Sequence, residues 1–212
     1  MVKSFDYKKE YKDLYLPKTK PSIIEVPEMI FIVVDGKGNP NTSVTYKTAL
    51  EVLYGLSYSI KMSKMTGTQP KGYFDYVVPP LEGLWWGEDG YYNGTNIVDK
   101  DKLCWTSMIR QPEFVTQDVF DEARRVLNKK KPEIDSSFAQ LVSFDEGLCA
   151  QIMHIGSYDD EPTTIEILEH FIIEAGYKND ISDCRKHHEI YLNDPRKVAP
   201  EKLKTVIRHP IN

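Results

Sequence analysis

Apolar and polar positions along this chain switch between a period of two and a period near 3.6, and the switches mark out its elements. MIFIVV (29 to 34) is continuously apolar and largely β-branched, and it runs into the Gly/Asn/Pro turn DGKGNP, which predicts a buried strand and its exit. Behind it, with Ser43 as the N-cap, Ala49, Leu50, Leu53, Leu56 and Ile60 fall at spacings of three and four. That spacing predicts a helix with one apolar stripe, ending near Met65. DYVVPPLEGLWWG (75 to 87) predicts a strand kinked or bulged at Pro79 and Pro80, since proline cannot donate to a central ladder, and KLCWTSMIRQP (102 to 112) is its expected hairpin partner. A second helix is predicted from a Thr116 cap through Val119, Phe120, Ala123 and Leu127 to the lysines 129 to 131, which suit its negative end.

FAQLVSFDEGLCAQIMHIGSYDDEP (138 to 162) predicts two strands joined as a hairpin through Asp145, Glu146 and Gly147. Thr163 with Glu166 reads as a capping box for a third helix, with Ile165, Leu168, Ile172 and Ala175 as its stripe and Gly176 at its end. HHEIYL (187 to 192) and KTVIRHP (204 to 210) complete the strands, and the first twenty residues read as a polar lead. Side by side, two halves (about 20–132 and 135–210) repeat the order strand, strand, helix, strand, strand. Gly36 and Gly156 end corresponding strands, Ser43 and Thr163 begin corresponding helices, and both pairs are 120 residues apart. The expected fold is α+β: duplicated strand-helix-strand-strand units in one domain over 1–212, forming an antiparallel sheet with helices on one face and a central ligand cleft.

Composition narrows the function. With 27 Lys plus Arg against 32 Asp plus Glu, the net charge of -5 offers no basic field for nucleic acid. Cys104, Cys149 and Cys184 are far apart, with no CxxC pair and no His at metal-finger spacing, so reduced thiols and no bound metal are expected. No signal-like or membrane-spanning run is visible, which makes the cytoplasm the expected location and excludes a membrane partner. A monomer or homodimer is expected.

Candidate chemistry lies on the strands. In HHEIYL, alternation sends Ile190 and Leu192 one way, expected to be toward the helices, and His187, Glu189 and Tyr191 the other. In PPLEGLWW, Glu82, Leu84 and Trp86 share one face, with Gly83 and Trp85 on the other. A pseudo-twofold between the halves would bring Glu82 and Glu189 to opposite walls of one cavity with aromatic plates beside them, a setting suited to a flat organic molecule. Trp85, Trp86 and Trp105 are candidate plates, although tryptophans more often fill core space. His187 and His188 diverge to opposite faces and cannot share an ion. His154, at the end of an apolar strand, reads as a satisfied buried histidine or a ligand contact. Neither a nucleophile elbow nor a P-loop or dinucleotide fingerprint is present.

HHEIYLNDPRKVAPEKLKTVIRHPI resembles the C-terminal signature of the GyrI-like small-molecule-binding family, with Glu189, Tyr191, Asp194, Pro195, Pro200, Glu201 and Leu203 at its positions. Family members include effector domains of multidrug-responsive transcription activators, where the strand glutamate meets cationic aromatic drugs, so the resemblance implies that Glu189 is the pocket carboxylate. No helix-turn-helix module accompanies this chain, and PPLEGLWW is similar to a stand-alone branch that includes cyclopropanoid cyclopropyl hydrolases. By that resemblance the protein is a hydrolase that opens the cyclopropane of DNA-alkylating antibiotics of the yatakemycin and CC-1065 type. A planar aromatic small molecule is the expected partner, with no cofactor, no nucleic acid and no axial-ligand motif for heme. The implied roles are Glu189 or Glu82 as general base, Tyr191 or His187 as donor to the developing phenolate, and tryptophans as stacking plates. A sequestering protein without turnover and a gyrase-modulating interaction protein are the alternatives.

Overall fold

The computed structural model of the chain describes residues 4–87 and 99–212. Eight strands, Ser22–Val26 (β1), Met29–Lys37 (β2), Leu81–Gly87 (β3), Leu103–Arg110 (β4), Gln140–Phe144 (β5), Gly147–Ile155 (β6), His187–Tyr191 (β7) and Lys204–Pro210 (β8), form one antiparallel sheet. Their order across it is β1, β6, β8, β7, β3, β4, β2, β5. The architecture is α+β, as the pattern predicts. The runs β2 to β4 and β6 to β8 have the same internal pairing, and β3 against β7 joins them at the centre, with Gly83 opposite Glu189.

The outermost strands cross between the runs. β1 pairs with β6 and β5 pairs with β2, so the predicted hairpin at Asp145 to Gly147 does not form. Only Pro27 and Glu28 separate β1 from β2, although β1 lies at one end of the order and β2 next to the other end, beside β5. Three Cα steps reach about 11 Å at most, so the sheet must curl until its ends nearly meet.

The helices follow from their stripes and caps. Ser43 Oγ accepts the Tyr46 amide at 3.2 Å to start Val44–Lys61 (α3), whose Ala49, Val52, Leu53, Leu56 and Ile60 are buried. Each of the Val, Leu and Ile side chains among these contributes about 1.5–3 kcal/mol on burial. Thr116 likewise accepts from Val119 to start Gln117–Lys130 (α4). Glu161–Glu174 (α5) begins earlier than expected. Proline suits a first turn, and Pro162 fixes the start there, so Thr163 lies inside the helix and no capping box forms. The strand predicted from residue 75 starts only at Leu81, because Pro79 and Pro80 precede the ladder.

The outer face of the sheet carries α3 and α4 over Ile32, Val34, Trp85, Leu103, Trp105 and Ile109, and α5 over Ala150, Ile152 and Ile207. Trp105 lies flat against Gly36, where a Cβ would stand 2.2 Å from the indole ring, so only glycine fits. The inner face is not bare. The expected polar lead forms two one-turn helices, Tyr7–Glu10 (α1) and Lys12–Tyr15 (α2), whose Tyr7, Leu14 and Tyr15 join Val26, Phe31, Met108, Cys149, Ile190 and Val206 in one core inside the curl.

Candidate functional site

Alternation along β7 holds, but its faces are reversed from expectation. Ile190 packs inward with the α1/α2 core, while His187, Glu189 and Tyr191 face the outer layer, in which α3 and α5 lie. The physical reason is the second apolar layer inside the curl, which claims the aliphatic face. At the centre of the outer face, Gly83 leaves room opposite Glu189. A Cβ there would meet Trp85 Nε1 at 2.7 Å and the Tyr191 hydroxyl at 3.3 Å.

Glu189 is the hub. Tyr191 accepts from Trp85 Nε1 at 2.9 Å and donates to Glu189 Oε2 at 2.6 Å, and His187 Nε2 meets Glu189 Oε1 at 2.9 Å. Burial raises the Glu189 pKa, but the bond and charge of His187, the Tyr191 bond and the charge of His188 outweigh it and hold the carboxyl below its ordinary value. Against it, from the first turn of α5, lies Glu161. Burial and the charge of Glu189 push Glu161 well above its ordinary value, the Thr205 hydroxyl opposing them only in part. Glu161 Oε1 and Thr205 Oγ1 are both buried and neither makes a hydrogen bond of good geometry among the described residues, although the hydroxyl and the Glu189 carboxyl lie close enough to Glu161 to bias its charge. The fold thus pushes two adjoining carboxyls in opposite directions, Glu189 down and Glu161 up, the kind of contrast that separates base from acid in a site.

Aromatic rings surround this pair. Tyr46 of α3 lies 6.0 Å from Trp85, and Tyr158, just before α5, meets Tyr191 edge-on at 5.8 Å. Burial pushes the Tyr46 hydroxyl up, and burial with the charges of Glu161 and Glu189 pushes Tyr158 to about 12. Both stay neutral donors at neutral pH. Behind Glu189, His187 Nδ1 lies 2.7 Å from His209 Nε2, and His209 Nδ1 lies 2.5 Å from Glu169 Oε1, which also accepts from Asn179 at 2.6 Å.

Glu82 does not share this site. It lies on the inner face, 1% exposed, where His188 Nε2 meets its Oε2 at 3.0 Å and Tyr15 donates to its Oε1 at 3.4 Å. His188 Nδ1 meets Glu146 at 2.9 Å, and Arg208 binds Glu146 at 2.8 Å, Gln151, and the Leu14 carbonyl of α2. Burial lowers the His188 pKa, but the two glutamates override it and bring it to about 9. Burial raises Glu146, but His188 and Arg208 bring it to about 2. Glu82 thus belongs to a neutralised ionic cluster that ties the inner layer to the sheet. The expectation of Glu82 and Glu189 on opposite walls of one cavity is corrected: the second carboxylate is Glu161.

The other expected residues separate. Trp85 is in the site. Trp86, one residue on, faces the opposite side, where the Lys186 ammonium lies 5.0 Å from its ring. Trp105 is fully buried, edge-on to Tyr46 at 4.9 Å and opposite Trp85 across the β3–β4 ladder, so it backs the rings of the site from below. His154 is buried with both nitrogens engaged, Nδ1 at 2.8 Å from Thr164 Oγ1 and Nε2 at 2.9 Å from the Ser157 carbonyl, where it secures the approach to α5. Among the described residues, no group of three or more His, Cys, Asp or Glu side chains is arranged to hold a metal ion, and no helix is long and apolar enough to cross a membrane. Sequence reasoning passed over Glu161, Tyr46, Tyr158, His209 and Glu169. For Glu161 the signal was its place before Pro162, which marks a helix start rather than an acidic loop.

Comparison with known proteins agrees with this geometry. Three solved structures from Listeria innocua superpose on nearly the whole chain, and each is covered in full by it. An uncharacterized conserved protein is 49% identical over 99% of this chain with a TM-score of 0.93. A hydrolase is 47% identical over 99% with a TM-score of 0.90, and a second hydrolase structure is 48% identical over 99% with a TM-score of 0.91. No curated protein matches the chain. The model of the GyrI-like small molecule binding domain matches residues 19–212, which include every strand and the whole carboxyl site, so the chain belongs to the GyrI-like family.

Proposed function

We propose that this protein binds a planar aromatic small molecule against Glu189 and hydrolyses the cyclopropane of DNA-alkylating antibiotics of the yatakemycin and CC-1065 type, a detoxifying activity. The observation that carries the reading is the pair of adjoining carboxyls that the fold pushes in opposite directions, Glu189 down and Glu161 up, beneath aromatic side chains in a chain whose Listeria relatives include hydrolases.

The substrate's strained ring is conjugated to a dienone. Trp85, Tyr46 and Tyr158 supply faces and edges for its plane, at about 0.5–1.5 kcal/mol per well-set ring pair beyond burial. Held in place, the ring carbon meets water beside Glu189, which replaces a bimolecular encounter by positioning. Glu189 takes one proton of that water as the hydroxide oxygen bonds to the ring carbon. The carbon–carbon bond breaks and its electron pair passes through the conjugated system to the dienone oxygen, giving a phenolate. Glu161 holds its proton next to Glu189 and keeps the pair at a single negative charge. The phenolate gains a proton from solvent on release, and Glu189 returns its own, so the net change is the addition of one water. General base assistance of this kind is worth roughly 10²- to 10⁴-fold.

The test is incubation with a cyclopropane-bearing duocarmycin-type compound, following loss of the dienone absorbance and the product mass. A gain of one water, reduced by roughly 10²- to 10⁴-fold in Glu189→Gln with binding intact, is expected. Tight binding with the compound recovered unchanged would make this a sequestering protein, and absence of binding would overturn the reading altogether.

A further inference from the structure

The hydrogen-bond chain behind Glu189 is not needed to hold a ligand. It runs from Glu189 through His187 and His209 to Glu169 by contacts of 2.9, 2.7 and 2.5 Å, and it ends on the outer side of α5, where the Glu169 side chain is 26% exposed. Between its ends both imidazoles are fully buried, and each has both ring nitrogens engaged.

A proton count follows from elementary chemistry. Three hydrogen-bond links need three protons, and two neutral imidazoles supply two, one each. The third makes either a neutral carboxyl at one end or an imidazolium between two carboxylates. Burial raises both end carboxyls, but the His209 bond at Glu169 and the His187 bond at Glu189 hold them below their ordinary values, and burial keeps His209 below its own, so the chain's geometry offers the third proton to the ring that touches Glu189. We infer that Glu169 is a positioning residue for the carboxyl site: through the contacts at His209 and His187 it steadies a proton on His187 and, by that charge, the Glu189 carboxylate.

Every neighbour of Glu189 bears on the outcome. On β7 these are His187 and Tyr191, with His188 on the reverse face. Glu161 with Tyr158 approaches from α5 and its lead, Tyr46 from α3, and His209 stands behind on β8. Among the described residues, the His187 to Glu169 path is the one that leads from this group through buried imidazoles to a side chain that solvent reaches on α5.

The sign is fixed. Glu169→Gln keeps the shape and removes the anion, so the imidazolium loses its support and Glu189 takes up a proton at higher pH. The acid limb of the kcat/KM profile with the cyclopropane compound should move up by about one pH unit, a roughly tenfold loss on that limb with the plateau retained. A role confined to folding would lower stability and leave the limb where it was, and that result overturns the inference. The kinetic arm rests on the hydrolase reading, so a second arm does not. Ring-nitrogen NMR of the purified chain should show His187 charged at about pH 7 in the wild type and neutral in Glu169→Gln. A neutral His187 in the wild type overturns the inference whether or not the compound is turned over, whereas loss of turnover with the expected ring-nitrogen signals would count against the hydrolase reading alone.

Discussion

Raising the pH from about 6.5 to 9.5 should destabilise this protein by discharging His188. The fold raises this imidazole from its ordinary 6.5 to about 9, because Glu146 and Glu82 flank it at 2.9 and 3.0 Å and outweigh its burial. At about 1.36 kcal/mol per pH unit, that rise corresponds to about 3 kcal/mol. A group whose pKa is higher in the fold contributes fully below its unfolded value, so the contribution is complete below about 6.5 and lost as the pH climbs through about 9. The loss is large against a total stability of about 5–15 kcal/mol for a domain. Urea midpoints at about pH 6.5, 8 and 9.5 would read it, with slope m checked for constancy. In His188→Gln the slope across this window should vanish, while the variant starts less stable by about 3–5 kcal/mol, since two buried carboxylates lose their cation. A midpoint that stays level from 6.5 to 9.5, or an equal decline in His188→Gln, would refute the reasoning.

Glu161→Gln should stabilise the protein at neutral pH by about 1–2 kcal/mol, because the fold raises the Glu161 pKa and ionising it above its ordinary 4.5 costs stability; thermal melts at about pH 7 in the two forms measure this. Trp85→Phe removes the indole donor to Tyr191 and should weaken binding of a planar aromatic compound roughly tenfold, whereas Trp86→Phe on the opposite face should leave affinity within about twofold; fluorescence titration compares them.

Local pattern carried most of the fold. The stripes from Ala49 to Ile60 and from Phe120 to Leu127 and the caps Ser43 and Thr116 are short-range signals, and they match the helices observed. What escaped was long-range. Whether Asp145 to Gly147 turns a hairpin depends on which edge receives β5, and that edge belongs to β2, far away in sequence. The faces of β7 were misassigned because α1 and α2 are too short and too charged to announce a second apolar layer through Tyr7, Leu14 and Tyr15. That same layer moved Glu82 to the inner cluster. Glu189 with Tyr191 and His187 was legible from alternation, but Glu161 comes from a helix start, and nothing in residue spacing links α5 to β7 before the sheet is assembled.

The crossing of β1 and β5 sets when the molecule can become safe during its own synthesis. The run β2, α3, β3, β4 emerges with the far side of β2 bare until Gln140 to Phe144 arrive, and Ser22 to Val26 wait for Gly147 to Gln151. An uncovered strand edge is a template for the wrong partner. Neither edge is sealed until the final third of the chain is leaving the ribosome, so premature release anywhere before that point yields an adhesive fragment rather than a smaller working protein.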